Sequence, residues 1–170
     1  MEEVILVDTN DSEIGKMEKM QAHVEGSLHR AFSIFIFNSK GELLLQQREK
    51  GKYHSGGLWT NTCCSHPRVG EDINEAVHRR LKEEMGFDCD LSEKKTFLYH
   101  AKFDNDLIEH ELDHIFIGYY NGVPIPNKEE VENWKWISTK DLKKELEAQP
   151  DKFTYWFKFS IEDVLAIMRE

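Results

Sequence analysis

The chain has little of what usually divides or staples a protein: 4 prolines, 10 glycines and 3 cysteines among 170 residues. No Pro/Gly/Ser-rich linker, internal repeat or low-complexity tract interrupts it, so one domain is expected over residues 1–170. Cys63, Cys64 and Cys89 cannot all pair. Adjacent Cys63 and Cys64 are poor partners for each other, because neighbouring side chains of an extended chain point to opposite faces. That usage fits a reducing cytoplasm. No apolar run approaches the ~20 residues of a membrane span. The start, Met1-Glu2-Glu3, is acidic and lacks the cationic flank and apolar run of a signal peptide. Basic residues are also short, 22 against 32 acidic, for a net charge of −10. This argues against a nucleic-acid or anionic-membrane surface. A phosphorylated substrate stays possible if basic groups or bound cations are concentrated locally. No apolar patch marks an interface, so a monomer is expected.

A hydrophobic fraction of 39% with 11% aromatics suits a folded globule. Val4–Val7 is a short apolar run ending in the turn-forming Asp8-Thr9-Asn10-Asp11. Arg30–Phe37 followed by Asn38-Ser39-Lys40-Gly41 and Glu42–Gln47 reads as a hairpin. A Gly- and Lys-bearing loop, 48–57, comes next. Asp72 is placed to cap a helix whose Ile73, Ala76, Val77, Leu81 and Met85 fall at helical spacing, with Gly86 as its stop. Strands are expected over 96–103 and 111–120, joined by Asp104-Asn105-Asp106. Trp136 and Ile137 lead from a strand into a helix over 139–148, and a last helix is expected over 157–169. Paired strands with interspersed helices predict a mixed α/β or α+β sandwich.

The most specific stretch is Trp59-Thr60-Asn61-Thr62-Cys63-Cys64-Ser65-His66-Pro67, which sets a sulfur nucleophile two residues from an imidazole. Directly after it, Ser65-x5-Glu71-x7-Arg79-Arg80-Leu81-Lys82-Glu83-Glu84-Met85-Gly86-Phe87 resembles the Nudix signature. Ser65 stands where Gly is usual and Arg80 where Glu is usual. By composition alone the helix is a solvated one laced with i,i+4 ion pairs. The Nudix resemblance implies instead an α/β/α sandwich around a mixed sheet, with carboxylates holding cations that neutralise a diphosphate.

With the Cys and His upstream of the helix, the chain resembles the type 1 isopentenyl diphosphate isomerases of the Nudix superfamily. Five separated motifs agree in order, from about Val4 to Met168. The resemblance implies a metal site of His23, His29, His66, Glu109 and Glu111 for Mn²⁺, Zn²⁺ or Mg²⁺, and a Mg²⁺ at the diphosphate held by Glu84. Cys64 is included in the metal set. His23 and His29 are six apart, one residue closer than expected of bacterial relatives, a difference one loop deletion absorbs.

The reaction so implied moves a double bond by 1,3-allylic proton transfer through a tertiary carbocation at C3, interconverting isopentenyl and dimethylallyl diphosphate in isoprenoid biosynthesis. It requires an acid on one face, a base on the other and a dry, cation-tolerant environment. Cys64 is the candidate on one face, with its thiol pKa lowered by metal or cationic groups. Glu111, aided by Tyr99, is the candidate on the other; which of Cys64 and Glu111 is acid or base stays open. Trp156 offers a π face to the cation, and Lys19, Arg48, Lys52 and Arg80 are the expected diphosphate ligands. Cys63 is assigned to packing. The competing readings are a Nudix pyrophosphohydrolase, disfavoured by Arg80, and a non-catalytic metal- or diphosphate-binding regulator.

Overall fold

The computed structural model describes residues 2–170; Met1 of the acidic start lies outside them. Among the described residues nine strands form one mixed sheet: β1 (Glu3–Val7), β2 (Glu13–Glu18), β3 (His29–Phe37), β4 (Leu43–Arg48), β5 (Trp59–Thr60), β6 (Cys63–Ser65), β7 (Leu91–Lys102), β8 (Ile108–Tyr119) and β9 (Val131–Ile137). Four helices accompany them: α1 (Lys19–Glu25), α2 (Ile73–Met85), α3 (Thr139–Ala148) and α4 (Tyr155–Met168). One face of the sheet, with Phe32, Ile34, Ile36 and Phe116, packs on Ala76, Val77, Leu81 and Met85 of α2. The other, with Phe35, Leu45 and Ile115, packs on Phe157, Ile161 and Val164 of α4 and Leu142 of α3. The expected sandwich is therefore present, and alternation along β3 divides its residues between the two layers.

β3 is the spine. Along one edge it runs parallel to β8, pairing His29 with Glu111 and ending at Phe37 with Tyr119. Along the other it meets β1 at His29, β6 at Phe32–Ile34 and β4 only at Phe37. The expected hairpin thus opens after one pair. Thr62 is wedged into the gap: its Oγ1 accepts from Ile36 N (3.0 Å) and donates to Leu44 O (2.7 Å). Asn61 Nδ2 donates to Ile34 O and Cys63 O, both at 3.0 Å. Side chains of the Thr-Asn-Thr run thereby satisfy backbone groups that a longer β3–β4 ladder would have paired. β4 turns instead to β9 and β5.

α2 follows its sequence signals. Asp72 accepts from Asn74 N, and Gly86 ends the helix at φ 74. A Cβ at Gly86 would also collide with the Ile125 carbonyl, so two constraints require glycine there. The 91–95 segment extends β7 beyond its expected start, because its polar residues lie on an edge strand whose side chains meet solvent. β2, α1, β5 and β6 carry weaker local patterns and were not expected. The last helix begins two residues early, at Tyr155, behind a Thr154 cap.

Candidate active site and metal centre

Four elements converge on one end of the β3–β8 pair. His23 comes from the last turn of α1, His29 opens β3, His66 follows β6, and Glu109 and Glu111 point to one face of β8. Gly26, at φ 73, turns the chain between the first two imidazoles, and their rings lie 5.4 Å apart. The six-residue gap therefore brings them together. The parallel register sets His29 beside Glu111 on one side, and the β7–β8 ladder sets Tyr99 beside it on the other. Ligand atoms of His23, His29, His66 and Glu111 all lie within 4.8 Å of one another, as do those of His23, His54 and Glu109.

These rings are prepared on one side and unfinished on the other. His23 Nδ1 donates to Lys19 O (2.7 Å) and His29 Nδ1 to Ser27 O (2.9 Å), which leaves each Nε2 its lone pair. Both Nε2 atoms are buried without a hydrogen-bond partner among the described residues, although Glu111 Oε2 is 3.3 Å from that of His29. His66 Nε2 meets the same oxygen at 2.9 Å. Burial pushes the Glu111 carboxyl up, but His29 and His66 more than offset this and hold it below the usual carboxylate range. Converging imidazole lone pairs and carboxylates, buried and incompletely satisfied, fit a divalent cation of borderline softness.

Cys63 and Cys64 point to opposite sides of β6. Cys63 is fully buried against the α2 layer, its thiol on Glu84 Oε2 at 2.7 Å. Cys64 faces the other way: its Sγ–H donates to Asn61 Oδ1 (3.1 Å), Trp156 Nε1–H donates to its Sγ (3.0 Å), and Ser33 Oγ is 3.5 Å away. Cys64 belongs to neither group of convergent donor atoms. The expected lowering of its pKa is reversed by its protein surroundings. Burial and the neighbouring Asp113 carboxyl push the thiol up, against smaller contributions from Ser33 and Asn61. Burial and the Glu109 and Glu111 carboxylates likewise raise the Tyr99 phenol, whose hydroxyl has no partner among the described residues.

Two adjoining cavities surround these groups. One, of about 40 Å³, is lined by Ser33, Arg48, Tyr53, His54, Cys64, His66, Glu109, Glu111 and Trp156 among others. The other, of about 100 Å³, gathers Lys19, Arg48, Lys52 and Arg80 with Glu84, Glu2 and Glu130. Arg48, Tyr53, Cys64 and His66 line both, so the basic cavity opens onto the thiol. All four basic residues singled out in the sequence are thus drawn together in an acidic molecule. Arg80 is held there by Glu130 (2.8 Å), Glu84 (3.3 Å) and Glu83 (2.6 Å). Arg48 lies over the Trp156 ring at 5.1 Å. Two other carboxylates of the signature are committed to ion pairs: Glu71, just ahead of α2, receives both Nε and Nη2 of Arg79, and Glu83 on α2 bridges Arg79 and Arg80.

Sequence reading missed several residues of this end of the sheet. Ser33 lies opposite Cys64 in the β3–β6 ladder, and Asp113 joins them from β8, where Ser33 Oγ donates to its carboxyl (2.8 Å). Tyr53 and His54 sit in a loop whose composition marks it only as flexible and basic. His abundance concealed His54 further. Asn61 stood in the quoted motif, but its bond to the thiol is a tertiary fact.

The NUDIX domain family profile matches residues 27–157. The chain is 52% identical over 169 residues to "Isopentenyl-diphosphate Delta-isomerase 1" of Aromatoleum aromaticum, covering 99% of this chain and 96% of that one. It is 55% identical to the "Isopentenyl-diphosphate Delta-isomerase" of Burkholderia multivorans, over 95% and 92% of the two chains. Among solved structures, a Deinococcus radiodurans protein superposes with a TM-score of 0.72 at 17% identity, covering 87% of this chain and 90% of its own. The MutT protein of Methanosarcina mazei gives 0.64 at 20%, covering 84% and 96%. Those two likenesses concern the fold.

Proposed function

The chain belongs to the NUDIX domain family and, within it, to the isopentenyl-diphosphate Delta-isomerases, and on that premise we propose how its site moves the double bond of isopentenyl diphosphate to give dimethylallyl diphosphate. The observation that carries this reading is the junction of the two cavities. Cys64 and Glu111 line a buried chamber that opens directly onto four cationic side chains and Glu84.

The diphosphate enters the basic cavity, where Lys19, Arg48, Lys52 and Arg80 meet its charge. Its isoprenyl tail then reaches the chamber between Cys64 and Glu111. One of these groups delivers a proton to the terminal alkene carbon, leaving a tertiary cation at C3. The other removes a proton from C2 on the opposite face, and the C2–H electrons form the new double bond. Substrate and product have the same atoms, and the protein ends with its acid and base exchanged, ready for the reverse transfer. Tyr99, beside Glu111 in the sheet, is suited to pass a proton to or from that carboxylate. Trp156 holds the Cys64 sulfur through its N–H and presents its ring to the cation. Burial of the chamber limits water that would trap the cation.

His23, His29, His66, Glu109 and Glu111 would hold one divalent cation and Glu84 a Mg²⁺, which when bound would supply Lewis-acid stabilisation of carboxylate and phosphate charge. Mn²⁺, Zn²⁺ or Mg²⁺ suits the first position, with the imidazoles favouring the transition ions. The family relatives span nearly the whole chain, which supports one domain over residues 1–170. Three free cysteines support a reducing cytoplasm, and among the described residues no helix is long and apolar enough to cross a membrane.

Incubation with isopentenyl diphosphate and Mg²⁺ in deuterated water, followed by NMR, tests the assignment. Dimethylallyl diphosphate carrying deuterium is the expected product. Release of phosphate or monophosphate with the alkene unmoved would replace the isomerase by a hydrolase.

A further inference from the structure

We infer that His54 is a fourth imidazole ligand of the metal centre, completing with His23, His29, His66, Glu109 and Glu111 a single six-donor site for a divalent transition ion. The inference rests on the metal-centre reading above and extends it to a loop residue outside the five-residue set.

His54 lies in the loop between β4 and β5, yet it is only 5% exposed. Its ring is stacked on Phe103 at 4.6 Å and set edge-on to Trp156 at 5.6 Å, so packing fixes the direction of its nitrogens. Nε2 is 3.0 Å from Glu109 Oε2 and groups with a ligand atom of His23 within 4.8 Å. At that distance a hydrogen bond is expected, but none has the required direction, and Nε2 is buried without a partner among the described residues. A close nitrogen and oxygen without a hydrogen bond between them are compatible with two ligands of a common ion.

The far side of the ring repeats the arrangement at His23 and His29. Their Nδ1 atoms are occupied by backbone carbonyls; that of His54 has Ser55 Oγ at 3.2 Å, a hydroxyl able to accept its proton. An Nδ1–H so engaged leaves Nε2 unprotonated and able to ligate. Ser55 holds that position at φ 56, a left-handed conformation unusual for serine and found where surrounding structure imposes it. Four imidazoles and two carboxylates form a set that Mg²⁺, which prefers oxygen, does not favour, whereas Mn²⁺, Co²⁺ and Zn²⁺ accept it.

Metal-free protein and its His54→Gln variant should be titrated with Co²⁺ and Zn²⁺ against a chromophoric chelator. The variant is expected to bind about 10- to 100-fold more weakly, a range set by losses at metal-supporting residues, with an altered Co²⁺ visible spectrum and one ion per chain in both proteins. Pulsed EPR of the Mn²⁺ forms should count four coupled imidazole nitrogens in the parent and three in the variant, a readout that does not depend on how much variant folds. Equal affinity with the same nitrogen count, or two ions per parent chain, would overturn the assignment of His54 alone. Failure of the parent to bind any of these ions would remove the metal-centre reading itself.

Discussion

At Cys63 and Cys64 the alternation of β6 sends one thiol into the α2 core and the other into the reaction chamber. Cys64 is held by Asn61 and Trp156, and burial and Asp113 push its thiol pKa up. In the protein alone these surroundings favour its acid form over the thiolate. Cys64→Ala is expected to lower turnover by roughly 10²- to 10⁴-fold, the usual contribution of a positioned acid or base. Cys63→Ala should keep most activity while losing about 1–2 kcal/mol of stability in urea through a buried void. Equal tolerance of both changes in a turnover assay would contradict the assignment. Trp156 contributes both an N–H to the sulfur and a π face. Trp156→Phe loses the first and weakens the second, so it should lose less activity than Trp156→Ala, for which about 30-fold corresponds to ~2 kcal/mol of desolvated cation–π attraction. Matching losses would assign Trp156 a role through the sulfur contact alone.

At the scale of elements, the opening between β3 and β4 makes room for β6 and hence for Cys64. Thr62 holds the opening by bonding to a strand on each side. Thr62→Val keeps the shape and leaves the Ile36 N–H and Leu44 carbonyl without their partner, a change expected to cost about 2–4 kcal/mol in chemical denaturation. A loss below about 0.5 kcal/mol would mean that the wedge fills space without holding the strands. α2 is anchored by Glu71 and Arg79. Arg79's hydrogen bonds hold the Glu71 carboxyl below its ordinary value of 4.5, against a smaller opposing effect of burial. A carboxyl with a depressed folded pKa stabilises above its unfolded pKa and loses that contribution as pH falls through the folded one. The parent should therefore exceed Glu71→Gln in stability by about 1 kcal/mol at pH 7, a magnitude set by a partly exposed pair. The gap should close progressively below pH 4.5, as followed by urea melts across pH.

At the scale of the whole molecule, an acidic chain assembles a basic pocket beside a buried His/Glu cluster. Unpartnered buried imidazoles disfavour the fold until an ion collects them, so binding should couple to stability. An ion at 100 times its dissociation constant is expected to stabilise the protein by about 2.7 kcal/mol. Calorimetry should register this as a higher Tm with Mn²⁺ or Zn²⁺, reversed by EDTA. The increment should shrink as pH drops below about 6, where protons compete for the imidazoles. An unchanged Tm across these conditions would count against a metal centre of this composition.

The sequence by itself determined the features carried within one short window. α2 with its Asp72 and Gly86 boundaries, the opposed Cys63 and Cys64, the shared face of Glu109 and Glu111, and α3 behind its strand all follow from local periodicity and capping. Family resemblance extended this to widely separated residues such as His23 and Trp156. Tertiary structure alone decided that β3 would leave β4 after one pair and run beside β8, placing Glu111 between His29 and Tyr99 and Asp113 under Ser33. It alone turned His54 inward from a loop and drew Arg48 over Trp156. The physical reason is range: capping and periodicity act over a few residues along the chain. Strand register and loop burial are chosen by packing and backbone hydrogen bonding summed over segments far apart in sequence.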